Sequence, residues 1–135
     1  MLKDVAALVG RIGVGVVFFA HGLQKLTEFG IAGTAQAFGG MGVPMPTVSA
    51  WYSTIVELVG GAALILGVGL PVVGLLLAVD MIGALLFVHL PNGLIGPNGY
   101  ELVLALAVAS IALGFNGGAF ALDRVLRSRR VRQPA

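Results

Sequence analysis

Five ionisable side chains lie inside hydrophobic segments of this sequence that are long enough to cross a membrane. They are Arg11 and His21 in the first segment, Glu57 in the second, Asp80 in the third and Glu101 at the start of the fourth. A charge in hydrocarbon costs about 2.5–3.5 kcal/mol even on the lenient insertion scales. We therefore expect these side chains to face one another, a cavity or a partner protein.

A buried polar network is predicted from the depth of three of these residues. Counted at about 1.5 Å per residue, Glu57 and Asp80 both lie near mid-membrane, and an extended Arg11 could reach them. A guanidinium binds a carboxylate with two hydrogen bonds, so we predict that Arg11 pairs with Glu57, Asp80 or both. Two roles stay open for this network, which are holding the helices together and handling a proton or substrate.

A second group of polar residues approaches the opposite side of the membrane. His21, Lys25, His89 and Glu101 could line an outer pocket beneath the Gly-rich segment 27–47, which we predict to be a loop with two Phe and two Met as a lid. The two histidines could also be axial haem ligands, but loop contacts explain them more simply. A metal site is no better supported, so we predict none.

Composition predicts a membrane protein of one domain. The chain has 135 residues, of which 58% are hydrophobic, and its mean hydropathy is +1.01. A bilayer core about 30 Å thick needs roughly 17–25 apolar residues per helix. We predict an all-α, membrane-embedded four-helix bundle in one domain, 1–135, with spans at about 5–26, 48–66, 71–90 and 100–120.

The C-terminal tail 124–135 carries a cluster of arginines: Arg124, Arg127, Arg129, Arg130 and Arg132. No Lys or Arg occurs between Lys25 and this tail, so the ends of the chain decide its orientation. The positive-inside bias places the tail in the cytoplasm, and four spans place the N-terminus there too. We interpret the cluster as a topology signal that contacts anionic lipid, and we expect no nucleic-acid binding.

Several classes of chemistry are excluded by what the sequence lacks. Without cysteine there is no disulfide, thiol catalysis, iron–sulfur cluster or thiolate zinc site. The sequence also has no phosphate-binding loop, no dinucleotide fingerprint and no Ser-His-Asp arrangement outside the membrane. Catalytic residues therefore stay unassigned, and any redox role must depend on another centre or on a partner.

Three motifs of this sequence resemble the DoxX family of small bacterial membrane proteins. The first is Phe18-Phe19-Ala20-His21-Gly22-Leu23-Gln24-Lys25-Leu26, and the second is Glu57 followed by Gly60-Gly61. The third is Gly117-Gly118-Ala119-Phe120-Ala121-Leu122-Asp123, in which Ala121 stands where the family has serine. Each motif is short, but the resemblance extends over nearly the whole chain.

The resemblance implies an integral four-helix bundle in the cytoplasmic membrane, associated with quinone-linked oxidoreductases, respiratory assemblies or oxidative-stress enzymes. Our first hypothesis is an accessory or scaffolding subunit of such a redox complex. One alternative is a subunit that binds quinone directly. The other is a small proton-coupled transporter, suggested by the mid-membrane acids and a faint repeat, in which Phe19-Ala20-His21 recurs as Phe87-Val88-His89. We expect no covalent cofactor, and whether the protein is an enzyme stays open.

Overall fold

The structure, a computed structural model, describes residues 1–132, and helices without any strand make up this part of the chain. The last three residues of the predicted tail 124–135 lie outside the described residues. The helices are α1 (Leu2–Gln24), α2 (Gly30–Gly40), α3 (Pro46–Leu66), α4 (Leu70–Ala84), α5 (Glu101–Phe115) and α6 (Leu122–Arg132). A π-helical turn, Lys25–Phe29, continues α1, and another, Leu85–His89, continues α4 into the 3-10 turn Leu90–Asn92.

Three helical stretches are long and apolar enough to cross a bilayer: Leu2–Gly40, Pro46–Leu66 and Leu70–Asn92. The fourth apolar helix, α5, has only 15 residues. It ends at Phe115 rather than near 120 as expected, because the chain leaves the helix at Asn116 and turns at Gly118, whose φ is +83°. Glycine reaches that φ without steric cost, so this stretch ends a helix instead of extending it.

Four apolar helices associate as two tight pairs, α1 with α3 and α4 with α5. In the first pair, a Cβ atom added at Gly15 would lie 2.7 Å from the carbonyl oxygen of Gly61. In the second, a Cβ atom at Gly74 would collide with the carbonyl oxygen of Ser110. Small residues at these crossings let the helix backbones approach closely, which is how membrane helices gain packing energy.

The beginning of α1 and the beginning of α6 both lie at the end of the molecule where α3 turns into α4. The carboxylate of Asp123 accepts hydrogen bonds of 2.9 Å from the backbone N–H groups of Gly69 and Leu70. It thereby caps the N-terminus of α4, where a negative charge is favoured. Asp4 accepts a bond of 2.8 Å from the backbone N–H of Ala119. The turn between α3 and α4 is thus held by the segment that follows α5.

The segment 27–47, predicted as a loop, is largely helical. Gly30 has a φ of +71°, which breaks the long first helix, and α2 then packs against α3 and the preceding π-helical turn. Thr34 is buried, and its hydroxyl lies 3.5 Å from the carbonyl oxygen of Lys25, to which it donates. The helix was missed because its glycines lower helix propensity, whereas packing against α3 stabilises it.

The crossing of α4 and α5 gives a prediction about two glycines. Gly74→Ala should lower thermal stability in detergent, because its Cβ has no room beside Ser110. Gly13→Ala is the matched control, since a Cβ there meets nothing within 4 Å, and it should raise stability by about 0.5–1 kcal/mol through helix propensity. Equal effects of the two substitutions would contradict this packing.

Candidate functional site

Arg11 is fully buried and binds backbone carbonyl groups at the end of the molecule that carries the termini. Its Nε donates to the carbonyl oxygen of Gly117 at 3.0 Å. Its Nη1 donates to the carbonyl oxygens of Leu64 at 3.2 Å and Ile65 at 2.9 Å. Arg11 therefore ties α1 to the last turn of α3 and to the segment after α5.

The predicted pairing of Arg11 with Glu57 or Asp80 is wrong. The last carbonyl groups of a helix have no partner within the helix and form the negative end of its dipole. The end of α3 offers such acceptors close to Arg11, whereas Glu57 lies about two turns before that end, towards the start of the helix. The sequence-based depth count identified a buried arginine but not this backbone acceptor site.

Glu57 instead forms a salt bridge with Lys25, at a distance of 2.5 Å between Nζ and Oε2. The Glu57 side chain is 3% exposed and that of Lys25 is 17% exposed. Lys25 is the first residue of the π-helical turn that continues α1. Single π-helical turns occur often at functional sites, and here the turn carries the ammonium group that meets α3.

Asp80 completes the polar cluster from α4. It lies next to Glu57 and Ser53, and its Oδ2 is buried without a hydrogen-bond partner among residues 1–132. Two carboxyl groups thus lie side by side, and the ammonium group of Lys25 contacts that of Glu57. A buried carboxylate oxygen without a donor is costly, so this atom is a candidate for contact with a ligand.

These residues form the polar part of a cavity of about 530 Å³ between the two helix pairs. Its walls are mostly apolar, and its volume is within the usual range for small-molecule sites. Phe38, Met41, Val43 and Pro44, from α2 and the turn after it, also line the cavity. The segment 27–47, predicted as a lid, therefore forms part of the cavity wall, and most of it is helical rather than a loop.

Three of the four predicted outer-pocket residues line this cavity, namely His21, Lys25 and His89, and the fourth does not. Glu101 is exposed as the first residue of α5, where its charge suits the positive end of the helix dipole. The ring of His89 is 2.9 Å from the carbonyl oxygen of Asn98, measured from Nδ1. His89 therefore contacts the loop that precedes α5 and also lines the cavity.

Sequence reasoning missed Ser53 and Tyr52 as lining residues, together with the π-helical turns. Ser53 precedes Glu57 by four residues, so the two share a helix face, and this spacing could have indicated it. The Tyr52 hydroxyl donates to the carbonyl oxygen of Leu76 at 3.0 Å, which links α3 to α4. The π-helical turns have no comparable sequence signal, because one extra residue in a turn leaves composition unchanged.

The arginines of the predicted tail lie on α6, and all five are exposed: Arg124, Arg127, Arg129, Arg130 and Arg132. Leu122, Val125, Leu126 and Val131 are exposed on the same helix. As far as Arg132, the tail is thus a helix that carries both basic and apolar side chains at its surface. Within residues 1–132, no three His, Asp or Glu side chains come together in a group that could hold a metal ion.

The family model of DoxX matches residues 6–90. The Bacillus subtilis (strain 168) protein described as "Putative oxidoreductase CatD" is 36% identical over 121 residues, which are 89% of this chain and 86% of that protein. The "Uncharacterized membrane protein Rv3486" of Mycobacterium tuberculosis is 31% identical, over 88% of this chain and 80% of that protein. The "Inner membrane protein YphA" of Escherichia coli is 27% identical, over 90% and 91%. No solved structure matches the chain significantly.

The salt bridge predicts unequal effects of removing its two partners. Lys25→Met leaves Glu57 and Asp80 buried without a counter-ion, and loss of one partner of a buried pair typically costs about 3–5 kcal/mol. Glu57→Gln should cost less, because Lys25 can then turn to Asp80. Thermal or denaturant unfolding in bicelles measures the stability that each of these two variants loses. Glu101→Gln is the exposed control and should be neutral, and a Glu57→Gln variant less stable than Lys25→Met would contradict the assignment.

Proposed function

The chain belongs to the DoxX family of membrane proteins, and from that premise we propose that it is a subunit of a membrane redox system that binds quinone in its cavity. The observation that carries the proposal is the cluster of Lys25, Glu57 and Asp80 at one part of an otherwise apolar cavity. A redox role is supported by the printed name of the Bacillus subtilis relative, which describes an oxidoreductase.

The residues present fit a quinone head group. An ammonium group has three N–H donors, and Glu57 takes one of those on Lys25, so others can bind a carbonyl oxygen. The free Oδ2 of Asp80 can accept a hydrogen bond from the hydroxyl of a reduced ring. Phe18, Met81 and Leu106 are buried apolar residues of the cavity wall, and they suit a flat apolar ring.

His21 connects this cavity to the surface. Besides lining the cavity, it lines a smaller hollow of about 250 Å³ with Ala20, Gln24 and Glu28. An imidazole ring has one nitrogen that donates and one that accepts a hydrogen bond, so we propose that it passes a proton between the hollow and the cluster around Lys25. A bound quinone would supply the redox chemistry itself by taking up electrons and protons.

The chain has no cysteine for an iron–sulfur cluster or a redox disulfide, and we propose that electrons reach a bound quinone from a partner protein. This dependence favours an accessory subunit over a self-sufficient enzyme. The proposed partners are other membrane redox or respiratory proteins that transfer electrons to or from quinone. The short chain would then contribute the ligand site and its proton path to a larger assembly.

We propose a four-helix arrangement in the cell membrane, with α5 as the fourth span and both termini in the cytoplasm. At 1.5 Å per residue α5 is about 22 Å long, which a locally thinned bilayer accommodates. The exposed arginines of α6 would bind anionic lipid at the cytoplasmic surface.

The proposed orientation is tested by a reporter fused after residue 135. A reporter that is active only in the cytoplasm should be active there, because the basic helix α6 holds the C-terminus on that side. A reporter that is active only outside the cell should be silent at the same position. The opposite pattern would contradict the orientation without affecting the quinone site.

Quinone binding is tested through Trp51, the single tryptophan, which precedes the cavity residue Tyr52. Added quinone should quench its fluorescence in detergent. Lys25→Met and Asp80→Asn should each weaken binding about 10–100-fold, the range expected for lost hydrogen bonds to charged groups. Glu101→Gln, outside the cavity, is the matched control and should bind normally.

The same protein, purified from membranes in mild detergent, should retain quinone and a redox partner. Absence of quinone in the gentle preparation, together with no quenching by added quinone, would reject the ligand. Recovery as a free monomer or homodimer, without any redox protein, would reject the accessory role.

A further inference from the structure

Apolar residues dominate the exposed rim of the cavity. Among the exposed residues that line the cavity, His21 is polar, and the others are Pro44 and five large apolar residues: Met41, Val48, Val79, Phe87 and Leu102. On α4 and its continuation, Val79, Gly83 and Phe87 follow one another at intervals of four residues, so they share one helix face. A Cβ atom at Gly83 would meet nothing within 4 Å, so no neighbouring side chain fills the space between Val79 and Phe87.

This opening lies at the depth of the hydrocarbon core. Val79 and Gly83 fall in the middle third of the apolar stretch Leu70–Asn92, which has a mean hydropathy of 2.4. An exposed surface at that depth faces lipid tails rather than water. On α3, Val48 also lines the cavity and is 60% exposed, but it lies in the first turn of that helix. The exposed lining residues at the depth of the lipid tails are therefore those of α4.

We infer that the cavity opens sideways into the bilayer past Gly83 and admits an amphiphile with a polar head and a long apolar tail. The head would lie at Lys25 and Asp80, and the tail would pass between Val79 and Phe87 into the lipid. The sideways opening rests on the geometry of the cavity alone, whereas the identification of the head group as a quinone rests on the proposed function. It restricts the ligand to lipid-soluble quinones and excludes water-soluble ones as the physiological form.

The polar cluster and the opening together favour this class of ligand. A small polar solute would gain no favourable contact from the exposed apolar side chains of Val79 and Phe87. An unsubstituted hydrocarbon would leave Asp80 Oδ2 without a partner. A molecule with an apolar tail and a carbonyl or hydroxyl head can contact both the exposed apolar side chains and the polar cluster. His21, also exposed, offers a polar contact with the surface that suits a proton rather than an alkyl chain.

A thiol placed inside the cavity tests the opening directly, because the natural chain has no cysteine. Ser53→Cys is nearly isosteric, and Ser53 is 6% exposed and lines the cavity beside Asp80. The variant is placed in nanodiscs and treated with a lipid-soluble alkyl maleimide or a permanently charged methanethiosulfonate. Ser128→Cys on the exposed helix α6 gives the reference rate for each reagent.

Relative to that reference, the maleimide should label the Ser53→Cys variant at least tenfold faster than the charged reagent does. Adding Gly83→Phe should slow the maleimide about tenfold or more, because the ring fills the open space at the rim. Adding Gly13→Phe is the matched control. Gly13 also faces open space but does not line the cavity, so labelling should not change.

Three outcomes would overturn the inference. They are labelling by the charged reagent as fast as by the maleimide, no labelling by either reagent, and no slowing by Gly83→Phe. Failure of the proposed function is seen separately, as an intact labelling pattern in a protein that binds no quinone. In that case the sideways opening stands, and only the identity of the head group is lost.

Discussion

The hydrogen bonds of Arg11 to three backbone carbonyl groups fix one end of the molecule and leave Glu57 and Asp80 without this arginine as a counter-ion. A buried guanidinium is tolerated only when its charge and donors meet suitable acceptors. The last turn of α3 and the residue Gly117 provide acceptors for Nε and Nη1 of Arg11, where helix ends leave carbonyl groups free, whereas its Nη2 has no partner among residues 1–132. Asp123 and Asp4 close the same end through backbone N–H groups, so three of the buried or half-buried charges serve as structural links.

Because Arg11 is bound there, Glu57 and Asp80 depend on Lys25. Arg11 and Lys25 are 14 residues apart on a continuous helical segment, about 21 Å at 1.5 Å per residue, which no side chain spans. The helix pairs pack tightly near the closed end, where Gly74 meets α5, and leave a cavity near Lys25. Polar cluster, cavity and lipid-facing opening therefore occur together at the end that Arg11 does not occupy.

Much of this organisation is readable from the sequence, and the rest depends on tertiary geometry. Hydropathy predicts the three long spans, and the cost of charge in lipid identifies Arg11, Glu57 and Asp80 as inward-facing. The choice of partner is not predictable in this way, because backbone carbonyl groups are acceptors that carry no sequence signal. The π-helical turn that presents Lys25 leaves no mark in the composition, and the helicity of α2 depends on packing against α3, so neither is predictable from the local sequence. Glu101 was assigned to the pocket by depth alone, and depth does not specify the direction of a side chain.

The central claim is that Lys25, and not Arg11, is the counter-ion of the buried acids, and exchanging the charges tests it most directly. Lys25→Glu and Glu57→Lys should each destabilise the protein in bicelles, and the double variant should recover most of the lost unfolding temperature, because the pair re-forms with reversed polarity. Arg11→Glu combined with Glu57→Arg should show no recovery beyond the sum of its single effects. Recovery in the Arg11 exchange, with none in the Lys25 exchange, would contradict the account.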